Sequence, residues 1–172
     1  MKRHISVPSA ASVAKIPLLR MLAIDYGERR VGLAVGGGEV ALASAVGVLE
    51  VSSPEDAVRK CVRAIADEDA DGVLVGLPLN MDGSVGPAAR KVVQWGRRLA
   101  AECGKNVIFV DERLSSFAAG EKLVDRKRAG AHLTRAGKKR RLDALAAAEF
   151  LGAYLEGRLT AIDVDLWKAD GR

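Results

Sequence analysis

The chain has 172 residues, enough for one compact domain of about 150 residues with short extensions. Apolar residues make up 49% and charged residues 28%, globular proportions that exclude disorder throughout. No apolar run approaches the ~20 residues that span a bilayer, so no membrane partner is expected. The net charge of +5 and pI of 9.4 point to a polyanionic partner. Cys61 and Cys103 sit in helical patterns without CxxC or Cys/His spacing, and read as buried thiols of a reducing, cytoplasmic compartment. His4 and His132 are the only histidines, which leaves carboxylates to carry any catalysis.

Residues 1–17 hold Lys2, Arg3, Lys15 and several serines, with no acid before Asp25. They read as a flexible extension; a transit peptide or an upstream start, with Met21 as the alternative first residue, fits the same composition. Leu18 to Asp25 is strand-like, Val31 to Val35 a second strand, and Val40 to Leu49 a third, separated by glycine-rich turns. Such links imply an antiparallel meander. Ser53-Pro54-Glu55-Asp56 is a helix start, with a Ser cap, Pro in the first turn and acids behind it. Val58, Cys61, Val62 and Ile65 then form one apolar stripe. Gly72 to Gly76 reads as a buried parallel strand. Pro87 opens a helix with Val92, Leu99 and Cys103 on one face, and Val107 to Val110 is the next strand. Helices are predicted over about Ser116–Val124 and Leu142–Leu155. The order predicts an α/β domain: a mixed sheet, antiparallel at one edge and parallel at the other, with flanking helices.

Three acids stand out. Asp25 ends an apolar strand, at the edge where clefts of α/β sheets open. Asp111 and Glu112 end another strand; side-chain alternation sends them to opposite faces, and leaves open which one faces Asp25. Asp143 lies in the nearly all-apolar run Leu142–Ala148, where a carboxylate needs a cation or a metal, unless it merely favours a helix N-terminus. Glu149 on the same helix reads as a rim charge. Three carboxylates on one side of a sheet suit Mg2+ or Mn2+, and the shortage of His and Cys argues against zinc. Between Arg126 and Arg141 stand eight basic residues and no acid: Arg126, Lys127, Arg128, Arg135, Lys138, Lys139, Arg140 and Arg141. Gly130 and Gly137 mark this stretch as loop-like, and it suits a phosphate backbone. Seven aromatic residues leave few stacking platforms, which favours recognition of structure over base sequence. The loop Gly76–Ser84 follows a parallel strand and overhangs the expected cleft; Asn80 is a candidate contact there, while Asp82-Gly83 reads as a turn.

Four blocks resemble the YqgF family of RNase H-like proteins, described as pre-16S rRNA nucleases and as Holliday junction resolvase-like proteins. They are Ala23-Ile24-Asp25-Tyr26-Gly27 with Arg30-Val31-Gly32, Val75 to Gly83, Asp111 to Ser115, and Arg141-Leu142-Asp143 before a run of alanines. The resemblance spans about residues 18–159, the expected nuclease domain, with 160–172 as a tail. It implies a five-stranded RNase H-like sheet and a metal site of Asp25, Glu112 and Asp143, with Glu112 chosen over Asp111. It also implies an endonuclease dependent on Mg2+ or Mn2+ that processes the 5′ end of 16S rRNA in ribosome biogenesis. Arg30, Asn80, Arg113 and the 126–141 stretch then contact the nucleic acid. Ala144 departs from the Ser that often follows the last Asp, and Ser115-Ser116 from a Thr pair. The alternatives are a resolvase of branched DNA, for which a two-fold dimer is needed rather than a monomer, and a non-catalytic assembly factor that binds nucleic acid. An actin-like kinase shares the first strand but needs two such domains.

Overall fold

The structure, a computed structural model, describes residues 19–37, 42–113 and 135–165, with backbone alone over 135–141. Five strands form one sheet: β1 (Arg20–Tyr26), β2 (Arg30–Gly37), β3 (Ala43–Glu50), β4 (Gly72–Leu77) and β5 (Asn106–Asp111). The described helices are α1 (Pro54–Asp67), α2 (Pro87–Cys103) and α3 (Arg135–Leu155). The strand order is β3-β2-β1-β4-β5, with β1, β4 and β5 parallel and β1-β2-β3 an antiparallel meander, as expected.

Alternation along each strand divides the core into two layers. Leu22, Ile24, Val31, Leu33, Val73, Val75 and Phe109 face α1 and α2. Met21, Ala23, Ala34, Leu74 and Val110 face the opposite way, against Ala147, Phe150 and Leu151 of α3. The α3 face is lined by small side chains on β1 and β2, which lets the helix lie close. A Cβ added at Gly32 would collide with the carbonyl oxygen of Asp143. Each fully buried large apolar side chain contributes roughly 1.5–3 kcal/mol, and both layers hold several.

The α1 start is built as its sequence predicts. Ser53 Oγ accepts from the Asp56 amide at 3.1 Å, and Asp56 Oδ2 reaches back to the Ser52 amide at 3.1 Å. Lys60 and Arg59 hold the Asp56 carboxyl well below its ordinary range. On the same layer, Tyr26 and Trp95 stack with ring centroids 4.2 Å apart. After α3 the chain returns along β5, where the Ile162 amide donates to the Phe109 carbonyl at 2.7 Å and covers that sheet edge.

Several expectations are corrected. Residues 135–141 are helical, so the basic stretch is not loop-like there. Gly137 costs a helix about 1 kcal/mol relative to Ala, and the Lys, Arg, Leu and Ala around it are good helix formers. Asp143 consequently lies more than two turns inside α3, too deep for the N-terminal dipole to explain it. Cys103 is half-buried, at the last turn of α2, whereas Cys61 is buried. Glu149, expected at the rim, is half-buried. β3 begins at Ala43, leaving Leu42 exposed before it. The predicted helix over 116–124 and residues Arg126–Arg128 lie outside the described residues. Among the described residues, no helix is long and apolar enough to cross a membrane.

Candidate active site

The carboxyl ends of the parallel strands bring the acids together, and alternation decides which. In β1, Met21 and Ala23 face α3, so Asp25 two residues on faces it as well. In β4, Leu74 faces α3, and Gly76 follows it on that side. In β5, Val110 faces α3, which puts Glu112 on the same face and Asp111 on the other. Gly76 leaves open ground for Glu112. A Cβ there would stand 2.8 Å from Glu112 Oε2 and 3.0 Å from Phe150 Cε1. Asp143 comes down onto this face from α3, seated over Gly32.

These carboxylates feel one another. Asp25 is pushed up to about 6, first by burial and then by the negative charge of Asp143. Glu112 is pushed up to about 7, by burial and then by Asp25 and Asp111. Asp25 is therefore the electrostatic link between the other two. Arg30, on the same face of β2, donates from Nε to Asp143 Oδ2 at 2.8 Å, with both side chains about a quarter exposed (26% and 25%). Oxygen donors that are partly buried and repel one another are the donor set that a hard divalent cation neutralises. Among the described residues, no three acidic, His or Cys side chains yet stand close enough to enclose a cation. One oxygen of Asp143 is committed to Arg30 instead.

Asp111 does different work on the opposite face. Arg113 grips it through Nε at 2.9 and 3.0 Å and through Nη2 at 2.5 Å, which lowers the Asp111 carboxyl below its ordinary range. Arg113 Nη1 also donates to the carbonyls of Asn80 and Met81, at 2.8 and 3.0 Å. Asn80 Nδ2 donates to Ser84 Oγ at 2.9 Å. The side chains of Arg113 and Asn80, two expected nucleic-acid contacts, are thus engaged inside the protein, in fixing the 78–86 turn. A cavity lined by Leu79, Val85, Asp111, Leu159 and Ile162 lies on this side, away from Asp25. Of the other expected contacts, Arg30 stands beside Asp143. Arg135, Lys138, Lys139, Arg140 and Arg141 occupy the first two turns of α3, directly before Asp143. Sequence reasoning missed the Arg30–Asp143 pair and the clearances at Gly32 and Gly76. Strand alternation carried on from Leu74 and Val110 is the signal that separates Glu112 from Asp111.

Residues 19–157 match the family described as "RuvX: Holliday junction resolvase". The chain belongs to this family, the one also called YqgF. A relative from Acidiphilium cryptum is 34% identical over 137 residues, covering 80% of this chain and 84% of its own length. One from Pseudomonas aeruginosa is 36% identical over 140 residues, covering 81% and 93%. Both carry the name "Putative pre-16S rRNA nuclease". Among solved structures, the fold is similar to RuvC of Thermus thermophilus in complex with a Holliday junction substrate. That match has a TM-score of 0.54 and 16% identity, covering 84% of this chain and 99% of the other. A second Thermus thermophilus RuvC structure matches with a TM-score of 0.52 and 17% identity, over 84% of this chain and all of that one. The expected RNase H-like fold class is borne out.

Proposed function

We propose that this protein is an endonuclease that hydrolyses phosphodiester bonds with Mg2+ or Mn2+ and matures the 5′ end of 16S rRNA from its precursor. The observation that carries the reading is the gathering of Asp25, Glu112 and Asp143 at one end and one face of the sheet, two of them with raised pKa values. Membership of a family whose curated relatives are named as nucleases supports it. Asp25, Glu112 and Asp143 would hold the metal, which when bound activates water and stabilises charge on the scissile phosphate. Asp25, coupled by charge to both Asp143 and Glu112, would hold the metal together with them. Arg30 orients Asp143 and balances part of the charge before the substrate arrives. Phe150 and Glu112 both stand close over Gly76, and burial is the first cause of the raised Glu112 pKa. The basic run from Arg126 to Arg141 contacts the phosphate backbone without reading bases.

The family's description favours a second reading, resolution of four-way DNA junctions. That reaction cuts two strands of a symmetric substrate and needs a two-fold dimer. The test offers purified protein, with Mg2+ or Mn2+, a precursor rRNA fragment and a four-way DNA junction side by side. Asp25→Asn is the control. Cleavage of the RNA, lost in the variant, is the expected result. Paired cuts in the junction by a species that light scattering shows to be a dimer would replace it with the resolvase reading. Tight binding with no cleavage, indifferent to Asp25→Asn, would leave a non-catalytic assembly factor.

A further inference from the structure

The turn between β4 and α2 carries an apolar tip on a braced frame. Within it the Asn80 amide donates to the Ser84 carbonyl at 3.0 Å, and the Gly83 amide to the Asn80 carbonyl at 2.8 Å. Its polar side chains close on one another. Asn80 Nδ2 donates to Ser84 Oγ, and Asp82 Oδ1 accepts from the Ser84 amide at 2.9 Å and its hydroxyl at 2.6 Å. Gly83 takes a φ of +85°, a left-handed conformation that a side chain would strain. Arg113 supports the turn through the Asn80 and Met81 carbonyls while holding Asp111. What this frame projects is Met81, 94% exposed, against 69% for Leu42, the next most exposed large apolar residue described.

A lone apolar side chain on a surface is ordinary. Met81 differs in three respects: its backbone is fixed, the exposed polar side chains beside it are tied to one another, and its brace is the residue next to Glu112. Resting on the nuclease reading above, we infer that Met81 is a wedge that enters the base stack of the nucleic acid at a break in the helix. An unbranched thioether is slender and polarisable enough to slide between bases. Apolar wedges of this kind partly unstack a base step at a cost of a few kcal/mol. The cost is least where the stack is already interrupted, so the wedge selects a branch or a helix end over continuous duplex. With Asn80 Nδ2, Asp82 Oδ1 and Ser84 Oγ bonded to one another, it senses the interruption and not the base. The Arg113 brace then fixes the distance from the interruption to the phosphate presented to Glu112.

The experiment uses the full chain with Mn2+ and two substrates, each in RNA and DNA: a continuous duplex, and the same sequence with a single-strand–duplex junction bearing 2-aminopurine at the step beside it. Wild type, Met81→Ser and Met81→Leu are compared. Wild type and Met81→Leu are expected to raise the 2-aminopurine fluorescence severalfold, and Met81→Ser to leave it unchanged. For the interrupted substrate kcat/KM falls roughly tenfold in Met81→Ser, the equivalent of one weakened stacking contact, and Met81→Leu restores it. On continuous duplex the three proteins behave alike. Equal unstacking and equal kcat/KM for Met81→Ser and wild type would overturn the wedge while leaving the nuclease reading intact. Failure of wild type to cut any of the four substrates would overturn both.

Discussion

Burial and shared charge leave Asp25 and Glu112 ionising at about 6 and about 7, far above their ordinary values of 3.8 and 4.5. Two opposite pH dependences follow. Protons compete with a cation for these oxygens, so metal-dependent cleavage is expected to rise between pH 5.5 and 8 and then level off; a rate profile at saturating Mg2+ checks this. The metal-free fold moves the other way. Between the unfolded and folded pKa values the native state binds more protons, so stability is greatest below about pH 4 as far as these groups are concerned. It is lost as pH rises through 6 and 7. Asp25→Asn removes one buried charge and keeps the shape. It is expected to abolish cleavage yet stabilise the metal-free protein at pH 8, on the order of 2 kcal/mol, read as a melting temperature raised by several degrees. A site kept at the expense of stability is what function leaves behind. At this scale the sequence was partly legible. Asp25 and Asp143 announce themselves as a strand-end acid and as an acid among alanines. Glu112 could not be separated from Asp111 by strand periodicity alone, because that requires knowing which face of the sheet the last helix covers.

The elements explain how the acids meet. α3 reaches the sheet only because β2 offers Gly32 where the backbone of Asp143 passes. Gly32→Ala is expected to destabilise the fold by about 1–3 kcal/mol, the usual cost of overpacking, and to lower cleavage by shifting Asp143; urea denaturation and a single-turnover rate check the two effects. Alternation, the Ser53 cap and the Pro87 start were enough to mark the strands and the first two helices. α3 was foreseen from Leu142 onward, but its first two turns were not, since Gly137 and dense positive charge both read as loop signals. Propagation of a helix already anchored by Ala147, Phe150 and Leu151 outweighs the cost of one glycine. The Arg30–Asp143 pair, 113 residues apart, has no local signature at all.

Across the molecule the two sheet faces divide the labour. The layer under α1 and α2 is apolar and structural, and its polar pair, Asp111 and Arg113, fixes a turn. The layer under α3 ends in carboxylates, and α3 itself begins with basic residues. Phosphate binding through that run predicts a linear fall of log affinity with log salt. Replacing Lys138, Lys139, Arg140 and Arg141 together by Ala is expected to weaken binding of all sequences alike and to flatten that slope by roughly 2–4, measured by fluorescence anisotropy of a labelled RNA. The most direct check of the site is Mn2+ binding at pH 8 by isothermal titration, with wild type, Asp25→Asn, Glu112→Gln and Asp143→Asn in parallel. The three carboxylates acting as one site predict Mn2+ binding by wild type and at least tenfold weaker binding by each variant, or about 1.4 kcal/mol. Mn2+ binding by all four with the same affinity, or cleavage by wild type with no Mn2+ or Mg2+ bound, would contradict it.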